Sequence, residues 1–356
     1  MKYAMRANII GIMSGTSLDG VDVAYCTFEK IKNKLHYDIV CAETYPYSNE
    51  WTLRLQNLEH TDALTFNLTD CEYGHLLGRL VATFIKKNGL KPDYIASHGH
   101  TIFHQPEKGL TKQIGSGAAI AAESGITTIC DFRSLDVALG GQGAPLVPIG
   151  DELLFGNYDA CLNIGGFANI SYKVNNMRIA FDISPANIIL NYFAKKRNFD
   201  YDENGFLAKQ GCLNKELFTH LNSLDYYIQP FPKSLGKEWV LEMMLPCFTD
   251  FQLSPEDNLR TMVEHIAFQI SEIIKNTNIK EIFISGGGAK NNFLIDRMQY
   301  YIPEIKTVIP NNLIIDFKEA LIFAFLGLMR INQENNCLQS VTGAEKNNCG
   351  GCIYYI

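Results

Sequence analysis

The sequence predicts an α/β protein with largely central sheets, arranged as two lobes. Short β-branched apolar runs alternate with longer helical patterns along the chain. A strand–glycine turn–strand unit near the start returns from Leu162 as LNIGGFANISY, an internal echo. The 356 residues, 47% hydrophobic and 19% charged, are enough for two sizeable cores.

Taken in order, strands are expected at Ile9–Met13, Val21–Phe28, His36–Ala42, Tyr94–Ser97 and Thr127–Cys130. A second set is expected at Ala160–Ile164, Ile170–Val174, Ile179–Asp182, Glu281–Ser285 and Lys306–Ile309. Each is a short apolar run bounded by turn-forming residues. Helical periodicity covers Leu68–Lys87, Asn187–Lys196, Asn258–Lys275, Asn292–Gln299 and Phe317–Asn332. The Gly/Pro-rich LGGQGAPLVP, Leu139 to Pro148, reads as the lobe boundary. That places one lobe at residues 1–138, completed by the tail 333–356, and the other at 139–332.

Net charge is −7 and the sequence pI about 5.7, which disfavours nucleic acid or an anionic membrane as the main partner. No apolar run reaches the length of a membrane span. Lys2 and Arg6 precede a short apolar run that ends at Ser14-Gly15-Thr16, so it reads as a first strand and not a signal peptide. Ten cysteines are scattered, with Cys349 and Cys352 the one close pair. Without a second pair or a nearby histidine, free thiols in a reducing cytoplasm are expected.

Neither a Walker A loop nor a G-x-G-x-x-G fingerprint is present, so any use of ATP needs a different architecture. Gly15-Thr16-Ser17-Leu18-Asp19-Gly20-Val21-Asp22 joins two apolar runs. Its glycines admit close approach of backbone N–H groups to phosphate, its hydroxyls add donors, and Asp19 or Asp22 suits hydrated Mg²⁺. The same residues also suit an ordinary hairpin turn. Asn163, Gly165 and Gly166 in NIGGFANIS fit a second phosphate contact or a plain turn. Gly286, Gly287 and Gly288 end an apolar strand just before a helix, where a flat ligand can lie on backbone.

Asp182 closes an apolar strand, a position suited to a general base and equally to a helix cap. His98, His100 and His104 lie on an irregular segment and suit substrate hydrogen bonding or packing better than metal. Arg133 suits bidentate carboxylate recognition or a structural ion pair. Lys233 and Lys237 fit either a ligand or a solvated loop.

Three glycine elements in this order resemble the superfamily of sugar kinases, heat-shock chaperone ATPases and actin. That resemblance implies two ribonuclease-H-like (actin-like ATPase) domains flanking a cleft that holds ATP. GIMSGTSLDGVDVA, SHGHTIFHQP, the stretch from Gln113 to Pro148, NIGGFANIS, SGGGAKN and SVTGA together resemble the anhydro-N-acetylmuramic acid kinase family, from residue 8 to about 344. The resemblance implies an enzyme that opens the 1,6-anhydro ring of its amino sugar with water and phosphorylates O6 from ATP, in cell-wall recycling. It implies Asp182 as the base that activates water, Mg²⁺ near Asp19, phosphates on Gly15–Ser17 and Gly165–Gly166, and adenosine on Gly286–Gly288. Arg133, His98 and Glu319 are then expected at the sugar, with Arg133 on its lactyl carboxylate. A homodimer is compatible with the resemblance.

The chain departs from the family on the substrate side. Ile183-Ser184-Pro185-Ala186-Asn187 stands where Thr-Gly-Pro-Gly-Asn is usual, Ile149-Gly150-Asp151 where an aromatic-His pair is usual, and Leu235 where a threonine is usual. Two other readings stay open: a conventional kinase of another amino sugar, and an actin-like nucleotide switch.

Overall fold

The computed structural model describes every residue except 1–5, 16, 17, 33 and 232. Contacts divide the chain into two compact units, Met1–Leu154 with Phe317–Ile356, and Phe155–Asp316.

In the first unit, β1 (Arg6–Ser14), β2 (Val21–Ile31) and β3 (Lys34–Tyr45) form an antiparallel meander. β4 (Tyr94–Ser97) pairs parallel to β1. β5 (His100–Gln105) and β6 (Leu110–Ile114) make a separate hairpin that the sequence pattern did not reveal. β7 (Thr128–Cys130) pairs parallel to β4. The order is therefore β3-β2-β1-β4-β7. The helix Ala63–Asn88 starts earlier than its apolar periodicity, because Asp62 caps the N–H groups of Leu64 and Thr65; Gly89, left-handed at φ 61°, ends it. Its Tyr73, Leu77, Val81 and Phe84 pack with Ile10, Ile12, Val23 and Ile95 of the sheet.

The second unit repeats the plan. β8 (Ala160–Ile164), β9 (Phe167–Val174) and β10 (Met177–Pro185) form the meander. β11 (Glu281–Ser285) pairs parallel to β8, and β12 (Lys306–Val308) parallel to β11. The order β10-β9-β8-β11-β12 matches the first sheet strand for strand and direction for direction. Each is the ribonuclease-H-like arrangement, so the short glycine echo marks a duplicated domain. The helix Pro255–Lys275, capped by Ser254 on Asp257 N–H, buries Leu259, Met262, Val263, Ile266 and Ile270 in this core.

The unit boundaries differ from the expected ones: residues 139–154 and 317–332 join the first unit. The helix Asn312–Ile331 loses helical geometry at Phe317 (φ −119°, ψ 15°), where the units divide. Beyond it, Ala320 packs so close to β1 that a Cβ on Gly11 would lie 1.9 Å from the Ala320 carbonyl oxygen. Phe325 meets Phe28 with ring centroids 5.7 Å apart. Gly150 also packs closely on Ile322, a Cβ there lying 2.6 Å from Ile322 Cγ1, which draws the 139–154 segment along. The tail then adds β13 (Cys352–Tyr354), antiparallel to β7 at the sheet edge. All ten cysteines are free. Among the described residues, no helix is long and apolar enough to cross a membrane.

Candidate active site

In each unit the polar residues gather where parallel strands end, the edge at which α/β sheets hold ligands. In the first unit β1 ends at Ser14 before Gly15, β4 leads into His98 and β7 into Asp131–Arg133; His98 N–H donates to Ile12 O at 3.0 Å. Ser14, the last residue of β1, is firmly held. Its Oγ lies 2.5 Å from Tyr47 Oη and 2.8 Å from His100 Nδ1, and accepts from Tyr73 Oη at 3.0 Å. Burial pushes His100 down to about 4, so it serves there as a neutral ring.

Thr16 and Ser17 lie outside the described residues. Leu18 N–H donates to Gly15 O at 3.3 Å, and Leu18 takes a left-handed conformation, φ 61°. Asp19 is exposed on this turn, with Gly20 and Val21 following it into β2. Asp22, on β2, instead accepts from Thr44 Oγ1 at 2.6 Å, its cross-strand partner.

His98 is buried and turned toward Arg133. Its Nε2 accepts from Arg133 Nε at 3.1 Å and Nη2 at 2.9 Å, and its Nδ1 donates to Gly99 O at 2.9 Å. Two donors on Nε2 place the proton on Nδ1. Burial, then the Arg133 charge, hold the imidazole well below its ordinary range. Arg133 Nη1 donates to Gly143 O at 2.6 Å. Three of the five guanidinium N–H groups are thus used and two remain. Burial pushes Glu319 up, while Lys318 and Arg133 pull it down and Asp22 pushes it up, so its carboxyl sits in the field of Arg133 and Asp22.

Two sequence features receive structural explanations. Asp151, one of the departures, pairs with Lys318 at 2.7 Å, both 5% exposed at the side chain. Asp136 is fully buried and accepts from Gly143 N at 2.8 Å, Thr342 Oγ1 at 2.9 Å and Asn348 Nδ2 at 2.7 Å. It therefore ties the glycine-rich loop to the SVTGA segment. Among the described residues no group of three His, Cys, Asp or Glu is placed to hold a metal.

In the second unit, parallel pairing of β8 with β11 sets Ser285 opposite Asn163. This brings together two glycine turns far apart in sequence. A Cβ on Gly288 would lie 2.2 Å from Ile164 Cγ2, and one on Gly286 2.6 Å from Asn163 Oδ1. Those two are glycine because the turns pack on each other. Gly166, by contrast, has nothing within 4 Å of the Cβ position, and for Gly287 only Asn187 Nδ2 approaches, at 3.7 Å. Gly165 N–H closes its own turn on Phe167 O at 3.0 Å. Gly166 O accepts from Ala186 N at 2.8 Å and Ile188 N at 3.2 Å, which holds the turn against the start of the helix Asn187–Lys195. The exposed Gly166 N–H has no partner among the described residues.

Asp182 stands in the same row. The register sets Asp182 of β10 opposite Asn169 of β9, and Asn169 opposite Asn163 of β8. Opposed residues share a face, so a line of half-buried polar side chains runs from the carboxylate to the glycine turns. Asp182 Oδ2 accepts from Leu235 N at 2.9 Å, and its backbone O from Tyr226 Oη at 2.6 Å. Burial raises the carboxyl above its usual range, and the Leu235 N–H pulls it back. Asn169 and Tyr226 were not anticipated, and Leu235 was singled out only as a departure, not as a partner of Asp182. Asn169 falls on an alternating strand and so signals nothing by pattern, while Tyr226 and Leu235 reach Asp182 through a loop.

The anhydro-N-acetylmuramic acid kinase family model matches residues 7–356. The chain is 36% identical over 373 residues to the anhydro-N-acetylmuramic acid kinase of Vibrio cholerae serotype O1, covering 99% of each. It is 34% identical to that of a Sulfurovum species, covering 98% of this chain and 99% of the relative, and 35% identical to that of Pasteurella multocida, covering 97% and 96%. A family model over nearly the whole chain and full-length agreement at this identity show that the chain belongs to the anhydro-N-acetylmuramic acid kinase family.

Proposed function

We propose that this chain is an ATP-dependent kinase of anhydro-N-acetylmuramic acid: water opens the 1,6-anhydro ring and O6 receives the γ-phosphoryl group, giving N-acetylmuramic acid 6-phosphate and ADP. The observation that carries the chemistry is the state of Asp182. One carboxylate oxygen is held by Leu235 N–H and the other has no partner among the described residues. A half-buried carboxylate with a raised affinity for protons is suited to take one from water attacking the anomeric carbon. As that bond forms, the bond from the anomeric carbon to O6 breaks, and O6 becomes the acceptor. Gly166 and Gly287 offer backbone that a nucleotide can approach closely, and Asn163 lies beside them. Within the first unit, Gly15 and Gly20 suit phosphate contacts, and the two remaining N–H groups of Arg133 suit the lactyl carboxylate. His98 acts on the sugar through Arg133, and Glu319 beside that guanidinium suits a sugar hydroxyl.

Asp19 would hold Mg²⁺, with Asp22 behind it on the strand. Mg²⁺ keeps most of its water and takes one or two carboxylates, so an exposed aspartate without a preformed cluster fits it. Bound there, the ion would neutralise phosphate charge. This reading places the reaction in the cytoplasm, with a small-molecule amino sugar as the partner.

The test is ADP release from Mg²⁺-ATP with anhydro-N-acetylmuramic acid, N-acetylmuramic acid or N-acetylglucosamine, for the native protein and Asp182→Asn. Turnover with the anhydro sugar alone, lost in the variant, is expected. Turnover with a free sugar would instead indicate a conventional kinase. ATP hydrolysis without sugar would indicate a nucleotide switch.

A further inference from the structure

We propose that Leu235, through its backbone N–H, is a positioning residue for Asp182, holding Oδ2 so that Oδ1 is the oxygen that receives the proton. The inference rests on Asp182 being the base, and it concerns how that base is aimed. Two local features set the aim. The β9–β10 register slips between Asp182 and Ser184, leaving Ile183 as an extra residue. A bulge of this kind kinks a strand and redirects the neighbouring side chain. The segment Tyr226–Leu235 is then fastened to the kink at several points. Asp182 N donates to Lys233 O at 3.2 Å, Tyr226 Oη donates to Asp182 O at 2.6 Å, and Leu235 N donates to Asp182 Oδ2 at 2.9 Å. The Phe231 ring stacks on Phe181 at 5.4 Å and 7°.

Lys233, which the sequence suggested for a ligand, is part of this strap. Its Nζ donates to Tyr226 O at 3.0 Å and lies 4.5 Å from the centre of the Tyr226 ring. The groups in line with Asp182 on β9 and β8 are the neutral Asn169 and Asn163. The titratable group from the strap that meets Asp182 is Tyr226, through the backbone O; Lys233 Nζ is turned to Tyr226. The Leu235 N–H is thus the one hydrogen bond made to this carboxylate among the described residues.

A backbone donor explains how the departure at position 235 is tolerated: leucine and threonine present the same N–H, and only proline removes it. Leu235→Pro should lower kcat roughly tenfold or more with the KM for ATP unchanged, the usual range for disturbing a general base. Its acid limb in kcat/KM should move to higher pH, because the bond that favours the charged carboxylate is gone. Leu235→Ala and Leu235→Thr should stay within about twofold, with the limb unmoved. An unmoved limb in Leu235→Pro, or an equal loss in Leu235→Ala, overturns the proposal.

If Leu235→Pro does not fold, the native protein gives the answer by NMR. The Leu235 amide proton should shift downfield on deprotonation with the midpoint of the acid limb, and Asp182→Asn should abolish that titration. A flat Leu235 amide overturns the proposal. Activity retained by Asp182→Asn would instead remove the base assignment, a separate failure.

Discussion

Replacing Arg133 by lysine isolates what the guanidinium does beyond carrying charge. Three of its N–H groups are committed, two to His98 and one to Gly143 O. The other two, one on each Nη, can donate to the oxygens of a carboxylate. A hydrogen bond to a charged group contributes about 1.5–3 kcal/mol, so losing two removes about 3–6 kcal/mol from the bound sugar. Lysine recovers part of this as a point charge, leaving a net loss of about 3 kcal/mol, or roughly a hundredfold in kcat/KM. The bonds to His98 and Gly143 O are disrupted as well, at a stability cost of about 1–3 kcal/mol, which a thermal melt records separately. The assay compares the anhydro sugar with an analogue whose lactyl carboxylate is reduced to an alcohol. Arg133→Lys should lose about a hundredfold on the first and less than about fivefold on the second. Equal losses on both sugars would refute the reasoning, and would show Arg133 as a brace for the 143 loop with no part in carboxylate recognition.

The glycine turns of the second unit should separate by role. Gly288→Ala places a Cβ 2.2 Å from Ile164 Cγ2 and should cost about 1–3 kcal/mol in a melt, whereas Gly166→Ala meets nothing within 4 Å and should leave the melt unchanged while raising the KM for ATP. The opposite pattern would mean the open backbone at Gly166 serves no ligand. Acid should destabilise the protein earlier than carboxylates alone would. His98, His100 and His265 are held neutral by burial, with His100 near 4 and His265 near 3, so their stabilisation is complete above the unfolded value of about 6.5 and fades as pH falls. At pH 5 His100 and His265 should each cost roughly 2 kcal/mol, with His98 adding in the same direction, against which the raised Asp182 works. Urea melts at pH 7.5 and 5.0 check this, and a protein no weaker at pH 5.0 would contradict it.

Much of the candidate site's local structure was legible because its signals are local. Alternating apolar runs set the strands, and glycines after Ser285 and Ile164 marked turns that need close backbone approach. Asp182 could be placed on its strand for the same reason, although the strand continues past it to Pro185 through a bulge. What Asp136 and Asp151 do was not legible: one joins its own loop to a segment 206 to 212 residues further on, and the other answers a buried lysine. Neither relation leaves a mark on periodicity or spacing.

The sequence by itself therefore determined the element types, the duplicated strand–turn–strand plan, the ordered glycine turns and the family resemblance. These follow from neighbouring residues, whose backbone preferences and apolar alternation act within a few positions. The tertiary structure alone decided which of them meet. Parallel pairing of β8 with β11 sets one glycine turn on another, and the tight approach at Gly11 draws the helix beyond Phe317 into the first unit. His98 became the support of Arg133, and a backbone N–H at Leu235 became the partner of Asp182. Such contacts are set by strand register and close packing between distant segments, and a backbone donor is the same in every residue but proline.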